Sequence, residues 1–353
     1  MRPVLKPGLR RLWRDGSTLQ IGVDPSRALV LPDVTPAHVA ALEALDGSGT
    51  PVRPAADPAP AATALLGLLG EAGLLDDAMP EDAAQPPRPA IDQDRLRPDL
   101  AALSLGSNQP GSAHRVLRQR RGAQVRVRGV GRIGAHVAGL LAAAGVGRVV
   151  VDDAGLASAA DVCPGGLGLD AIGQPRAQAA TMALGRVTRP AATQPGATQP
   201  FRPDLIVLTP VGPPVLRPDE SLELAHGGVP HLLAGIREIT GVVGPLVVPG
   251  RTPCLHCQHL NRYAADPAWP LLALQLARRA ENGPDACEVT LAAQVSALTA
   301  AQALAFLDGP AGAGALPATA AGTLEIASPD WRVRRRTWRA HPGCPCGLAG
   351  IPT

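Results

Sequence analysis

Four cysteines in the second half of the chain occur as two close pairs, a pattern typical of metal ligands. The first pair is Cys254 and Cys257, and the second is Cys344 and Cys346. Thiolates are soft donors that suit zinc, and two pairs from separate segments supply the four ligands of a closed tetrahedral site. The sequence therefore predicts a structural zinc site. Free thiols or a labile disulfide are the alternatives.

Three histidines and two further cysteines are the other side chains that could bind metal or act as nucleophiles. His256, His259 and His341 flank the cysteine pairs, and we expect them to support the metal site from outside or to lie at the surface. Cys163 and Cys287 could be nucleophiles, but free cysteines are most often small buried hydrophobic residues. We therefore expect both cysteines to pack in the core.

A glycine-rich turn in the middle of the chain has the pattern of a nucleotide site. Gly129, Gly131 and Gly134 stand between a run typical of a buried strand and a run typical of a helix. Glycines permit a tight turn and let phosphate approach the N–H groups of the helix N-terminus. Asp152 and Asp153 end the next predicted strand, where a carboxylate could bind ribose hydroxyls. The alternative is a tight turn that binds no nucleotide.

The region from residue 124 to the end alternates predicted strands with predicted helices around these residues. Later strands are expected at Leu205 to Leu208, His231 to Ile236 and Val242 to Val248. Such alternation indicates an α/β domain, a doubly wound and mostly parallel sheet with helices on both faces. The segment Arg189 to Pro200 is expected to be a flexible loop, and the basic segment Trp331 to Arg339 an exposed sheet edge or a patch for an acidic peptide.

The first 80 residues predict a small, separate α+β unit of winged-helix-like character. Two strands joined across Asp15-Gly16 form a hairpin signal, and Thr35-Pro36 begins a helix. The expected strands are Leu9 to Trp13, Thr18 to Val23 and Ala28 to Leu31, and a second helix is expected at Ala61 to Ala72. A proline-rich linker is predicted from Asp76 to Arg97, and residues 81–123 as a whole are expected to join the two domains.

Composition excludes several classes of protein. The chain has 353 residues, 46% hydrophobic and 18% charged, which is unlike a disordered chain. Its net charge of +3 and its 2% aromatic content favour neither nucleic acid nor a membrane surface as partner. The uncharged run Val289 to Leu307 carries polar residues all around a helix, so we expect a buried helix rather than a membrane span. No signal-peptide pattern is evident, which predicts a cytoplasmic protein.

Six segments between about Gln124 and Cys346 together resemble the ThiF family of ubiquitin-activating-enzyme-like adenylyltransferases. In serial order they are VRVRGVGRIGAHVAGLLAAAGVGRVVVDD, GQPRAQAA, DLIVLTP, GVVGPLVVPGRTPCLHC, EVTLAAQVSALTAAQALAFLDG and HPGCPC. The resemblance implies a doubly wound sheet, zinc held by the cysteine pairs, and a homodimer. It also implies ATP with Mg²⁺, used to activate a C-terminal carboxylate and bound by Gly129, Gly131, Gly134, Asp152 and Arg176.

This chain departs from the ThiF pattern at three positions where adenylation chemistry lies. The stretch AADVCPGG lacks the asparagine and the arginine that the family has there. Arg176 replaces the family's lysine, which keeps the charge but changes its geometry. The strand that should end in a magnesium-binding aspartate reads Leu208-Thr209-Pro210-Val211. These departures predict that adenylation is weak or lost.

Residues 1–80 resemble, in pattern more than in motif, the PqqD-like peptide-recognition domain. That domain precedes a degenerate ThiF-like domain in cyclodehydratase partner proteins of thiazole/oxazole-modified peptide biosynthesis. The resemblance implies that the chain binds the leader of a ribosomal precursor peptide as an added strand, along Thr18 to Val23 or Ala28 to Leu31, and presents it to a partner modifying enzyme. An active adenylyltransferase that activates a peptide or carrier-protein carboxylate is the alternative. A nucleic-acid binder has little support, because no basic recognition helix is present.

Overall fold

In a computed structural model, the residues described are 2–45, 60–78, 89–188, 201–278, 285–309 and 315–346. The strands are β1 (Pro3–Leu5), β2 (Arg11–Trp13), β3 (Leu19–Ile21), β4 (Leu29–Leu31), β5 (Leu75–Asp77), β6 (Gln124–Arg128), β7 (Arg148–Asp152), β8 (Leu205–Leu208), β9 (His231–Arg237), β10 (Thr240–Val247), β11 (Gly322–Ala327) and β12 (Val333–Thr337). The α-helices are α1 (Pro36–Glu43), α2 (Pro60–Glu71), α3 (Ala90–Leu105), α4 (Ser112–Gly122), α5 (Gly134–Ala143), α6 (Arg176–Leu184), α7 (Pro218–His226), α8 (Leu255–Ala265), α9 (Trp269–Leu276) and α10 (Val289–Asp308). The chain divides into two compact units, one up to Arg118 and one from Gln119.

The first unit contains two small antiparallel sheets and a core of leucine and isoleucine. One sheet pairs β1 with β5, and the other has the order β2-β3-β4. Leu19, Ile21 and Leu69 are buried in one cluster with side chains from β1 and β5. Thr35 caps α1 as predicted, because its hydroxyl accepts a hydrogen bond from the His38 N–H group and Pro36 occupies the first turn.

The predicted linker is wrong at both of its ends. Asp76 and Asp77 belong to β5, which pairs in register with β1, and α3 begins at Ala90. A three-residue strand with two aspartates has no recognisable period of its own, so only its pairing with a partner 72 residues away defines it. The middle of the linker and the predicted loop from Arg189 to Pro200 lie outside the described residues.

The second unit is built on a seven-stranded sheet with the order β12-β11-β10-β9-β8-β6-β7. Strands β7, β6, β8 and β9 pair with one another in parallel, whereas the β9–β10, β10–β11 and β11–β12 pairings are antiparallel. The connections between the parallel strands pass through helices, as a parallel sheet requires. The predicted fold class, a mostly parallel α/β sheet, is confirmed. The exposed edge predicted from the basic segment is β12.

Alternating residues of the sheet pack into two different cores. In β8, Leu205 and Val207 belong to the main cluster, which includes α5, α6 and α10, whereas Ile206 and Leu208 belong to the cluster of α7 and α8. This alternation follows from the two-residue period of a strand and puts helices on both faces. The cysteine pairs lie in the second cluster.

The long apolar helix α10 forms part of the main core. By length and composition it is the one described helix that could cross a membrane. Leu291 and Val295 on its inner face are nearly fully buried in the main cluster. Its buried hydroxyls are satisfied within the helix, because Ser296 donates to the Ala292 carbonyl at 2.8 Å and Thr299 to the Val295 carbonyl at 2.6 Å. This matches the predicted buried helix.

Candidate functional site

The glycine turn joins β6 to α5 with very close backbone packing. Gly129 has a φ of +87°, and a Cβ atom there would collide with the Thr209 carbonyl oxygen. A Cβ atom at Gly134 would collide with the carbonyl oxygen of Gly129. Both glycines are therefore required by packing alone. Gly131 is less constrained, because its added Cβ would lie 3.0 Å from Val211 Cγ2.

Several polar groups of the turn are used by neighbouring strands. The Gly129 N–H group donates to the Asp152 carbonyl at 2.8 Å. The Val130 N–H group donates to the Asp153 carboxylate at 2.8 Å, and the Thr209 hydroxyl donates to the Gly129 carbonyl at 2.6 Å. An anion at the turn would have to replace Asp153 to use the Val130 N–H group.

Arg176 lies in a buried cluster with two carboxylates. Its Nη2 is 2.9 Å from Asp153 Oδ1 and its Nη1 is 3.6 Å from Asp161 Oδ2, and the three side chains are 7%, 5% and 6% exposed. Burial alone would raise the pKa of Asp153, but hydrogen bonds from Arg176, Val130 and Gly155 outweigh it and lower that pKa. The guanidinium thus already has anionic partners within the fold.

Asp152 has a different environment from Asp153. It ends β7 with a side chain that is 60% exposed, and its carboxylate lies 4.0 Å from Arg128 Nε. It is accessible to a ligand, as a residue that binds ribose must be. Its role as a cofactor residue stays a prediction.

Two cavities adjoin the glycine turn. The first, of about 130 Å³, has Gly131 on its wall, and the second, of about 410 Å³, has Gly129 on its wall beside α7. Neither of these two cavities is lined by Asp152 or Arg176. The polar residues around the first cavity include Arg132, Asp161, Thr209, Asp285 and Cys287. The five predicted cofactor residues therefore do not line one common cavity.

Of the two cysteines outside the cluster of four, Cys287 lies on the wall of the first cavity and Cys163 does not. Cys163 is buried as expected, and its thiol donates to the Arg132 carbonyl at 3.3 Å. Cys287 is half-buried and packs against the main core from the cavity wall. Burial raises the pKa of both thiols, which disfavours the thiolate that a nucleophile needs.

The four predicted metal ligands form one compact cluster. The Sγ atoms of Cys254 and Cys257 are 3.8 Å apart, and the Cys254–Cys344 and Cys257–Cys346 pairs are each 3.5 Å apart. A tetrahedron of sulfurs around zinc has edges of ~3.8 Å, because each Zn–S bond is ~2.3 Å long. All four sulfurs lie within 4.8 Å of one another. The cluster could therefore bind a metal such as zinc.

Local structure prepares these sulfurs for a cation. Cys254 is the N-cap of α8 and Cys257 lies in its first turn. A hydrogen bond from the Cys254 thiol lowers the pKa of Cys257 to about 4. Burial acts in the opposite direction, and a hydrogen bond from the His341 N–H group adds to the lowering. The bond between the two thiols raises the pKa of Cys254, which keeps its proton. The hydrogen bonds within the cluster thus favour a thiolate, the form of cysteine that binds a metal.

Two of the neighbouring histidines have other partners. Trp269 Nε1 donates to His259 Nδ1 at 3.1 Å, and the Gly343 N–H group donates to His341 Nδ1 at 3.1 Å. Burial is the main reason that the pKa of His259 is lowered to about 4. His256 also lies outside the cluster of four sulfurs. These positions agree with the expectation that the histidines are not ligands.

In the first unit, the sheet β2-β3-β4 has two edges, and β3 is not one of them. It pairs with β2 on one side and β4 on the other. The expectation that Thr18 to Val23 could accept an added strand is therefore wrong. The expectation for Ala28 to Leu31 remains, because β4 is an edge strand.

Backbone hydrogen bonds show which groups of β4 point outward. The Arg14 N–H group donates to the Thr18 carbonyl at 2.9 Å, and the Gly22 N–H group to the Arg10 carbonyl at 2.8 Å. Because antiparallel ladders alternate, Gln20 bonds to β2 while Leu19 and Ile21 bond to β4. The partners of Leu19 and Ile21 are Leu31 and Leu29, so Val30 between them directs its N–H and C=O groups away from the sheet.

Comparison with known proteins finds likeness in fold. No protein-family model and no curated protein matches the chain. A crystal structure of E. coli MccB with MccA-N7isoASN has a TM-score of 0.66 at 17% identity and covers 99% of both chains. The structure of E. coli MccB with ATP also has a TM-score of 0.66, at 18% identity, and the match covers 98% of this chain and 99% of that one. The structure of PaaA has a TM-score of 0.64 at 15% identity, and the match covers 94% of this chain and 99% of that one.

The chain therefore shares the fold of MccB. The carboxylates around its glycine turn were only partly foreseen from the sequence. Asp153 was recognised as a strand-end acid, but its role in holding Val130 and Arg176 depends on the folded turn. Asp161 lies in the stretch AADVCPGG and Asp285 in a segment without any motif, and only the tertiary structure brings them to one cavity.

Proposed function

We propose that this protein binds the leader of a ribosomally made precursor peptide along β4 and presents the peptide to a partner modifying enzyme. The observation that carries this proposal is the outward N–H and C=O pair of Val30 on a sheet edge. A peptide strand gains affinity from such main-chain groups and specificity from alternate side chains. MccB, which shares the fold, has been crystallised with N-formylated MccA, which supports the proposal that this chain binds a peptide.

In this proposal the ThiF-like unit is a scaffold whose adenylation activity is weak or lost. Arg176 is paired with Asp153 and Asp161, so its charge is not available to phosphates without breaking a buried cluster. The cavity beside Gly131, at about 130 Å³, is smaller than the ~300–1,000 Å³ of most small-molecule sites. The cavity beside Gly129, at about 410 Å³, is large enough, but its wall carries two carboxylates, Glu220 and Glu223, against one cation, Arg128. Zinc at the four cysteines would fix the segment after β12 to the start of α8. A cytoplasmic homodimer completes the proposal.

An active ATP-dependent adenylyltransferase is the second candidate, and one arrangement favours it. Asp161 and Asp285 both lie on the wall of the cavity beside Gly131, and carboxylates are the ligands that Mg²⁺ prefers. The ATP complex of MccB has the same fold. In this reading the enzyme would activate the C-terminal carboxylate of a peptide or carrier protein.

Calorimetry and pyrophosphate exchange on the full chain separate the two candidates. The ligand to test is any short peptide encoded beside the gene for this chain. We expect the peptide to bind without ATP and to support no ATP–pyrophosphate exchange, because the developing charge at phosphate lacks a dedicated cation. Robust exchange that disappears in Gly131→Asp would establish the enzyme instead. A folded protein that binds no such peptide would refute the leader-binding role.

A further inference from the structure

A second type of site is present in the first unit, in a cavity of about 240 Å³. This volume is far above the ~10–15 Å³ that one water needs, so the cavity has room for the end of a side chain. Its polar wall residues are Lys6, Ser26, Arg27 and Asn108. No carboxylate lines this cavity among the residues that the structure describes.

Lys6 is the unusual member of this wall. It is the only lysine in the chain, and it is 3% exposed. Its ammonium donates to the Ser107 carbonyl at 2.7 Å. Within the described ranges, no carboxylate lies within 4.0 Å of that ammonium. An ammonium has three donors and is costly to bury without an anionic partner.

The charges around Lys6 leave the cavity positive. Burial lowers the pKa of Lys6, the attraction of Asp76 raises it, and repulsion by Arg27 lowers it further. Asp76 is the one acid in this balance, and its Oδ1 already accepts hydrogen bonds from the Gly111 and Asp77 N–H groups. Arg27 bonds the Leu105 carbonyl at 2.8 Å through one nitrogen, which leaves its other donors for a ligand. Asp24, which interacts with Arg27, is held by the Ser26 N–H and hydroxyl groups. Neither Asp24 nor Asp76 lines the cavity, so its wall carries two cations and no carboxylate among the described residues.

We propose that this cavity binds one carboxylate, the acidic side chain of an aspartate or glutamate in the bound leader peptide. The identification of the leader as its source rests on the proposed function, whereas the carboxylate chemistry rests on Lys6, Arg27 and Asn108. Arg27 lies just before β4, three residues from Val30. A strand rises ~3.3 Å per residue, so a peptide strand paired with Val30 lies beside Arg27 about three of its own residues further along. The acidic residue therefore anchors one end of the paired segment.

The single lysine provides a direct reporter for this site. Full-length protein labelled with ¹⁵N at lysine Nζ gives one ammonium signal, which can be titrated with N-acetyl-glutamate methylamide. The matched neutral probe is N-acetyl-glutamine methylamide, and inorganic phosphate is the third probe. We expect saturable shifts with the glutamate compound and binding at least about tenfold weaker with the glutamine compound, since charged hydrogen bonds exceed neutral ones.

Two variants keep the reporter and test the second cation. Arg27→Gln should weaken binding of the glutamate compound, whereas Arg14→Gln, an exposed arginine outside the cavity, should leave it unchanged. Equal response to the two amino-acid probes, no response to either, or saturation by phosphate alone would each overturn the carboxylate site. Because no leader peptide is used, these outcomes are independent of whether β4 binds a leader.

Discussion

Replacing Arg176 by methionine should destabilise the second unit strongly, because Asp153 and Asp161 would remain buried without their cation. Removing one partner of a buried ion pair costs about 3–5 kcal/mol. Asp153 keeps its hydrogen bonds from the Val130 and Gly155 N–H groups, at 2.8 and 2.7 Å, so we expect the lower end, ~3 kcal/mol. At about 2–4 °C per kcal/mol for a unit of this size, the melting temperature should fall by about 6–12 °C.

Differential scanning calorimetry at pH 7 measures this change. The matched control is Arg186→Met, which breaks the pair between Arg186 and Asp170, whose side chains are 59% and 63% exposed. That pair should contribute less than about 1 kcal/mol. The double variant Arg176→Met with Asp153→Asn should be more stable than the sum of the two single effects predicts, because it removes the uncompensated charge.

The effect of Arg176→Met on the free energy of unfolding should depend on pH, because the pKa of Asp153 is lowered in the folded protein. A carboxyl group whose pKa is lower in the folded state contributes its stability above its ordinary pKa, ~3.9. That contribution is lost as the pH falls through the lower folded value. The difference between wild type and Arg176→Met should therefore shrink below about pH 4. If Arg176→Met melts like Arg186→Met at pH 7, Arg176 is not structural and would be available to bind phosphate.

Two further predictions concern the cysteines. Elemental analysis should find one zinc per chain. The double variant Cys254→Ser with Cys344→Ser should lose the zinc and melt at a lower temperature, because structural zinc binding is coupled to folding. Wild-type protein without zinc, or a double variant that retains its zinc, would contradict this prediction. Alkylation of the metal-loaded native protein at pH 7 should be slow at Cys163 and Cys287, because burial raises the pKa of both thiols. If mass spectrometry shows that either residue reacts as fast as free cysteine, that residue is a candidate nucleophile.

Local patterns predicted the parts of the fold that depend on local physics. The strand Leu205–Leu208 is continuous and apolar because both of its faces are buried, and α1 begins at Thr35 because of its cap. The cysteine cluster was predictable because paired thiols have few other uses in a chain of this composition. The pairing of Pro3–Leu5 with Leu75–Asp77 was not predictable, because neither segment has a distinctive pattern.

The candidate sites show the same limit. A resemblance placed Arg176 among the ATP-binding residues, but its partners Asp153 and Asp161 are fixed by tertiary structure. The sequence predicted three strands in the first unit but not their order, so Ile21 was expected at an open edge and instead lies in the central strand. Lys6 was conspicuous only as the single lysine, and its burial and cavity required the fold.

The affinity of Val30→Pro for the precursor peptide tests the central claim most directly. Proline removes the outward N–H group of Val30 and leaves the hydrogen bonds of Leu29 and Leu31 to β3 in place, whereas Val30→Ala keeps that N–H group. Circular dichroism should show that both full-length variants are folded. Calorimetry should then show that Val30→Pro binds at least about tenfold more weakly than Val30→Ala, since one main-chain hydrogen bond is worth ~1 kcal/mol and the ring adds a clash. Equal affinity of the two folded variants would contradict strand addition at β4.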